Sequence, residues 1–221
     1  MPTTTGGTTR TQLSELIKGV GAFENEAYVD YCFSSVAVKA ASSTTTDNIG
    51  IPLKWNSSTS AYNIFTANPT WAASTAVAIG YVVKPATRDG YEYVCIKAGT
   101  THSTGPTFVA VSGATTTETS GVIWLCREAY SGEKGSLPDG SEICVLVGST
   151  EGAGFNKVAT TLSTTAVTMP VIYRGIAALA KDGFTWGSVA SADQDEFYAA
   201  LERKGIKVIT SGTTVTPVFT I

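Results

Sequence analysis

Only one stretch of this chain, "SADQDEFYAALERKGIKVI" (191–209), spells out a whole helix with its start, its buried face and its stop. Ser191 and Gln194 form an S-x-x-Q capping box, and Asp193, Asp195 and Glu196 fill the positive first turn. Phe197 and Leu201 stack at i, i+4, and Arg203 and Lys204 meet the negative end. Gly205 stands at C′ with the apolar Ile206 behind it, a Schellman stop. The pattern predicts a helix over 192–204 that feeds a final strand, "IKVI". Elsewhere the apolar residues recur mostly with period two or in short runs broken by turn residues, so the expected fold is mainly β with short helices (α+β).

Alternation begins at Ala27, Val29, Tyr31 and Phe33, and "SSTTTDN" then breaks the chain. Ile49, Ile51, Leu53 and Trp55 alternate with Gly50, Pro52 and Lys54 before "NSSTS" turns into "AYNIF", a hairpin. Pro52 donates no hydrogen bond, which predicts an edge strand or a bulge. The apolar face of this strand suits either an internal core or a subunit interface. After Pro69 come strand candidates at 77–83, 91–96 and 121–126, with turns at "RDG", "STGP" and "SG". In "GYEYVC" (90–95), Tyr91, Tyr93 and Cys95 share one face. Tyr93, Cys95 and Trp124 read as a small core, while Trp71 and Tyr81 stand beside turns and read as the exposed rings. "YSGEKGSLPDGS" (130–141) is a linker or return loop, "EICVLVG" a buried strand, and "AVTMPVIYRGIAAL" holds a strand centred on Val171 and Tyr173.

Composition narrows the function. The chain is 43% hydrophobic and only 15% charged, against about 25% charged in an ordinary domain, so its surfaces are neutral hydroxyls or disappear into an assembly. A net charge of −3 without clustered Lys and Arg argues against a nucleic-acid partner. No apolar run approaches the ~20 residues that span a bilayer, so no membrane partner is expected. The start "MPTTTGGTTR" lacks a signal-peptide pattern, so the expectation is synthesis and use without Sec export, in a reducing cytoplasm. Cys32, Cys95, Cys126 and Cys144 are far apart and form no C-x-x-C pair; buried free thiols are the main reading and a Cys95–Cys126 disulfide the alternative.

Enzyme readings fail on inventory. His102, the single histidine, sits in "TTHSTG" with no acid near it in sequence. Asp89, Asp139 and Asp182 are explained by turns, and "GSTEGAG" lacks the Lys-Ser/Thr of a P-loop. The expectation is no catalytic residue, no cofactor and no metal site.

Three stretches in order carry a resemblance: "IPLKWNSSTSAYNIF" (51–65), "DGSEICVLVGST" (139–150) and "TTAVTMPVIYRGIAALAKDGFTWGSVASADQDEFYAALERKGIKV" (164–208). Together they resemble the head decoration (cement) proteins of tailed bacteriophages, the family of the phage lambda capsid-stabilising protein. The shared marks are a strand with "P-L" and a turn, a strand ending in Arg174-Gly175, the Thr185-Trp186 step, and a terminal helix closing on Gly205-Ile206. The resemblance implies a homotrimer on the outer surface of the virion head, bound to the major capsid protein.

It also implies an organisation: 1–24 a flexible arm with a short helix, 25–66 and 137–221 a discontinuous decoration domain, and 67–136 an inserted small all-β module of sandwich or barrel type. In the arm, Leu13, Leu16, Ile17 and Val20 line one helical face, a candidate capsid contact; packing on its own domain is the alternative. The insert is similar to carbohydrate-binding modules of the chitinase and phage-tail type, through Trp71, Gly80, Gly90 with Tyr93, Gly105-Pro106 and Trp124. It departs from them in having "IKAGT" where chitin-binding members carry adjacent rings. Trp71 and Tyr81 are its candidate glycan or partner contacts, and host surface glycans the candidate ligands. A tail or fibre component that binds such glycans is the alternative function.

Overall fold

Short alternating strands bury one face each, and a sheet of them gains most by closing on itself. The computed structural model describes residues 33–47, 49–132, 135–148, 159–175 and 177–209. Its fold is mainly β, with one α-helix among the described residues. Two compact units divide the chain: Met1–Phe65 with Gly132–Val189 and Leu201–Ile221, and Thr66–Ser131 with Ala190–Ala200.

The first unit is built on a closed five-stranded barrel of β1 (Phe33–Val38), β3 (Ile49–Asn56), β4 (Ala61–Ile64), β11 (Ile143–Val147) and β13 (Val167–Ile172), in the order β1-β13-β11-β3-β4. Ladders are antiparallel except the β1–β4 closure at Val38–Tyr62. Ile51, Leu53, Tyr62, Leu146, Met169 and Val171 fill its core, and Leu137 of the return loop joins them. The apolar face of β3 is therefore internal core. Tyr62 places its ring against Trp55 at 5.3 Å and donates its hydroxyl hydrogen to the Ser141 carbonyl. Burial of that phenol raises its pKa well above the ordinary tyrosine value.

Two expectations need correction here. Pro52 lies neither on an edge strand nor at its own bulge: it sits inside β3 opposite Val145, in a strand paired on both sides. Its carbonyl accepts from Phe65 N–H just past the last β3–β4 pair, Leu53–Ile64. The missing N–H points to that same side, where the ladder has already ended. The segment "SSTTTDN" does not simply break the chain. Thr44–Asp47 forms β2, antiparallel to β12 (Ala159–Leu162), with the Thr45 and Thr161 hydroxyls 3.3 Å apart; threonine is a good strand former wherever a partner is at hand.

After β13, β14 (Ala177–Ala180) pairs in parallel with β15 (Ile206–Ile209). A single 3-10 turn, Lys181–Gly183, follows β14 as the Asp182-Gly183 signal predicts. The helix α1 runs Ser191–Arg203, close to its predicted span. Ser191 is inside the first turn, however, and the Ala190 carbonyl accepts from the amides of both Asp193 and Gln194. At the other end Gly205 has φ +85° and donates to Glu202 O at 3.0 Å, the bond expected of a Schellman stop.

In the second unit β6 (Val82–Val83), β7 (Tyr91–Lys97), β10 (Ile123–Glu128) and β9 (Thr115–Thr117) form an antiparallel sheet in that order, and β5 (Ala76–Val77) pairs with β8 (Gly99–Thr100). The single strand expected over 77–83 is split in two, because Gly80 at φ +87° turns the chain between β5 and β6.

Candidate binding surface

Period two sorts the second unit's sheet into an inner and an outer face. Tyr93, Cys95, Trp124 and Cys126 point inward with Val77, Val83 and Val122, and all are buried. Phe108 stacks on Tyr93 at 3.9 Å and meets Trp124 edge-on at 6.2 Å, contacts of about 0.5–1.5 kcal/mol each beyond their area. So few residues make a core only because three are large rings. Cys95 and Cys126 are free thiols, standing opposite Trp124 and Tyr93, so the alternative disulfide does not form.

One buried carboxylate organises the edge of this core. Glu118 Oε1 accepts the indole N–H of Trp124 at 2.6 Å and that of Trp71 at 2.8 Å. Its Oε2 accepts the His102 amide at 2.7 Å and the Ser120 hydroxyl at 3.2 Å. Burial pushes the Glu118 pKa up, but the four donors outweigh it and hold the carboxyl below its ordinary value. The Gly105 backbone lies against the Trp71 ring, where an added Cβ would stand 3.3 Å from Cζ3. Trp71 is thus half-buried, its polar edge committed to Glu118 and its ring packed on the core.

Tyr81 is placed differently. The turn before β6 presents Ile79, 71% exposed, and Tyr81, 40% exposed, while Gly80 N–H bonds Cys95 O and Cys95 N–H bonds Tyr81 O. Ile96, next along β7, is also exposed. On the outer face Val82, Val94 and Leu125 pair in one row across β6, β7 and β10, each half-buried. The large hydrophobic side chains this unit exposes are Ile79, Tyr81, Ile96, Val109 and Val111, with Trp71 half-buried. The candidate arm residues Leu13, Leu16, Ile17 and Val20 lie outside the described residues.

Comparison with protein-family models, with curated proteins and with solved structures yields no match.

What remains is the local chemistry. Among the described residues no cluster of His, Cys, Asp and Glu could hold a metal ion, and no helix is long and apolar enough to cross a membrane. His102 accepts from Thr104 N–H through Nδ1 at 3.1 Å, a local loop bond. The burial of Cys95, Cys126 and Cys144 raises all three thiols, the opposite of what a nucleophile needs.

Sequence reasoning missed a second polar cluster altogether. Asp193 Oδ1 receives Lys84 Nζ at 2.6 Å and Arg88 Nη2 at 2.5 Å, and Arg88 Nε lies 3.5 Å from Glu196 Oε2. Nearby, Glu92 accepts from Arg127 at 2.5 Å and from Asn68 at 2.6 Å. The only sequence signal for Asp193 and Glu196 was the helix start, which explains their charge without a partner.

Proposed function

We propose that the chain is a phage head decoration protein, a cement that binds the outer surface of the capsid as a homotrimer and stiffens the shell. One observation carries the reading. The stretches that resemble the decoration family fall on β3–β4, β11 and β13–β15, the framework of a single barrel-centred unit, except that Ala190–Ala200, most of α1, belongs to the second unit. The stretch that the family pattern does not need, 67–136, overlaps Thr66–Ser131, which has its own sheet and its own core. A closed barrel also leaves no long free edge to aggregate, which suits a protein packed at high local concentration. Trimer contacts repeated over a shell slow escape without any one contact being strong.

The exposed Tyr81 and Ile79 favour a second reading, a tail or fibre component whose second unit touches host glycans. Counting separates the two. Purified protein is mixed with undecorated phage heads, and bound copies per particle are measured after sedimentation. Saturation at on the order of hundreds of copies, as multivalent coating requires, with heads that better survive heat, supports the cement. Absence of binding overturns it, and a handful of copies moves the weight to the tail reading.

A further inference from the structure

The second unit contains a charge arrangement that neither its core nor the proposed function requires. Two cations, Lys84 and Arg88, face the first turns of α1, and both give their short bonds to the same oxygen, Asp193 Oδ1. Glu196, one helical turn on and therefore on the same face, is left with a single long ion pair to Arg88 Nε. Its Oε1 is buried without a hydrogen-bond partner, as is Arg88 Nε, and the residue is only 8% exposed. The other groups acting on it are Asp193 on its own helix, Lys84, the exposed Asp89 beside Arg88, and the buried Tyr130. With every acid ionised, three carboxylates (Asp89, Asp193 and Glu196) meet two cations. With Glu196 protonated the charges balance, and a buried neutral carboxyl costs far less than a buried charge without good partners.

We propose that Lys84, Arg88, Asp193 and Glu196 form a proton-operated clasp, which grips the start of α1 when Glu196 is protonated and loosens when it ionises. Asp193 is the fixed member, because both cations bond it. Glu196 is the working member, because losing its proton places a negative charge where no donor meets Oε1. The sign follows from burial, which raises the Glu196 pKa to about 7, only partly opposed by Arg88. The unfolded chain releases this proton near the ordinary carboxylate pH of about 4.3. Between that pH and about 7 the folded state holds one proton more than the unfolded state, so stability falls as pH rises through the window. The clasp is tightest in mild acid and weakest above neutrality.

Side-chain carboxyl NMR of Glu-labelled protein and amide hydrogen exchange along α1 test this between pH 5 and 8. Glu196 is expected to titrate near neutrality, and protection of the Phe197–Ala200 amides to fall by about tenfold or more over the same range. E196Q is expected to hold that protection flat. H102Q, which removes the chain's single histidine, should keep the wild-type profile. The clasp is overturned if Glu196 titrates with the other glutamates, if wild-type protection does not change with pH, or if E196Q follows the wild-type curve. Loss of the profile in H102Q overturns it equally. Should E196Q fail to fold, the two wild-type readings alone decide.

Discussion

Trp124 gives its indole N–H to Glu118 at 2.6 Å, inside a core where the ring itself is fully buried. The same oxygen takes the Trp71 indole, so one carboxylate fixes two of the largest side chains in the second unit. E118A would leave two indole donors, the His102 amide and the Ser120 hydroxyl without their acceptor. A loss of about 2–4 kcal/mol is expected, since each orphaned buried donor costs about 1–3 and some regain water. Denaturant unfolding monitored by tryptophan fluorescence measures it.

Acid should act on the same contact. The Glu118 carboxyl is held below its ordinary value, so the stability it contributes is fully present above the unfolded carboxylate pH of about 4.3. It is lost as pH falls through the lower, folded value. E118Q should therefore be less stable than wild type at pH 6, and the gap should narrow below about pH 4. Thermal melts at both pH values check this, and a constant gap would show that the charge contributes nothing.

Gly50 has φ +80°, and a Cβ there would lie 1.9 Å from the carbonyl oxygen of Gly183. The Gly50 carbonyl in turn accepts Thr185 N–H at 2.9 Å, so the two segments cannot part without breaking that bond. G50A is expected to cost more than about 3 kcal/mol, combining left-handed strain with a backbone clash. Gly205 also has φ +85°, but its nearest obstacle, Gly175 O, is 3.1 Å away. G205A should cost only about 1–2 kcal/mol. Chemical denaturation of the two variants in parallel gives the ranking.

How far such features could be read from the chain depends on how local their causes are. The stop of α1 was legible because Gly205, Ile206 and Leu201 are sequence neighbours, and Gly205 does take the left-handed conformation. Tyr93, Cys95 and Trp124 were legible as core because a half-buried strand writes its burial with period two. Pro52 misled because the rule about edge strands concerns one N–H, and whether that N–H faces a partner depends on where β4 ends. Thr44–Asp47 looked like a break because its partner β12 lies more than a hundred residues away. The same distance hid the clasp: Lys84 and Asp193 are 109 residues apart, and no spacing rule links them. Glu118 was invisible for a subtler reason, since a lone acid between threonines carries no sign that two tryptophans will turn toward it.

Tyr62 and Gly135 hold the return loop on the barrel. A Cβ at Gly135 would lie 1.8 Å from the Tyr62 hydroxyl, and that hydroxyl donates to Ser141 O in the same loop. Y62F removes one buried hydrogen bond and leaves the ring, so a loss of about 1–2 kcal/mol is expected. G135A should cost more, because the clash displaces both the loop and the phenol. If Y62F unfolds at the wild-type denaturant midpoint, the Tyr62 hydroxyl contributes nothing to holding the loop, and Leu137 with the Lys204–Ser141 bond holds it instead.

The thiols give the last test. Cys95, Cys126 and Cys144 are buried and free, and burial raises their pKa values above the ordinary thiol. Alkylation needs the thiolate, so raised pKa and lost access act in the same direction. In native protein at pH 7.5 these three should resist iodoacetamide for hours and react promptly in denaturant. Peptide mass spectrometry without prior reduction reads each site separately. Recovery of Cys95 and Cys126 as a linked peptide would place them in register across β7 and β10. That arrangement contradicts the pairing of Cys95 with Trp124 and of Cys126 with Tyr93, and the ring stack built on those pairs would have to be redrawn.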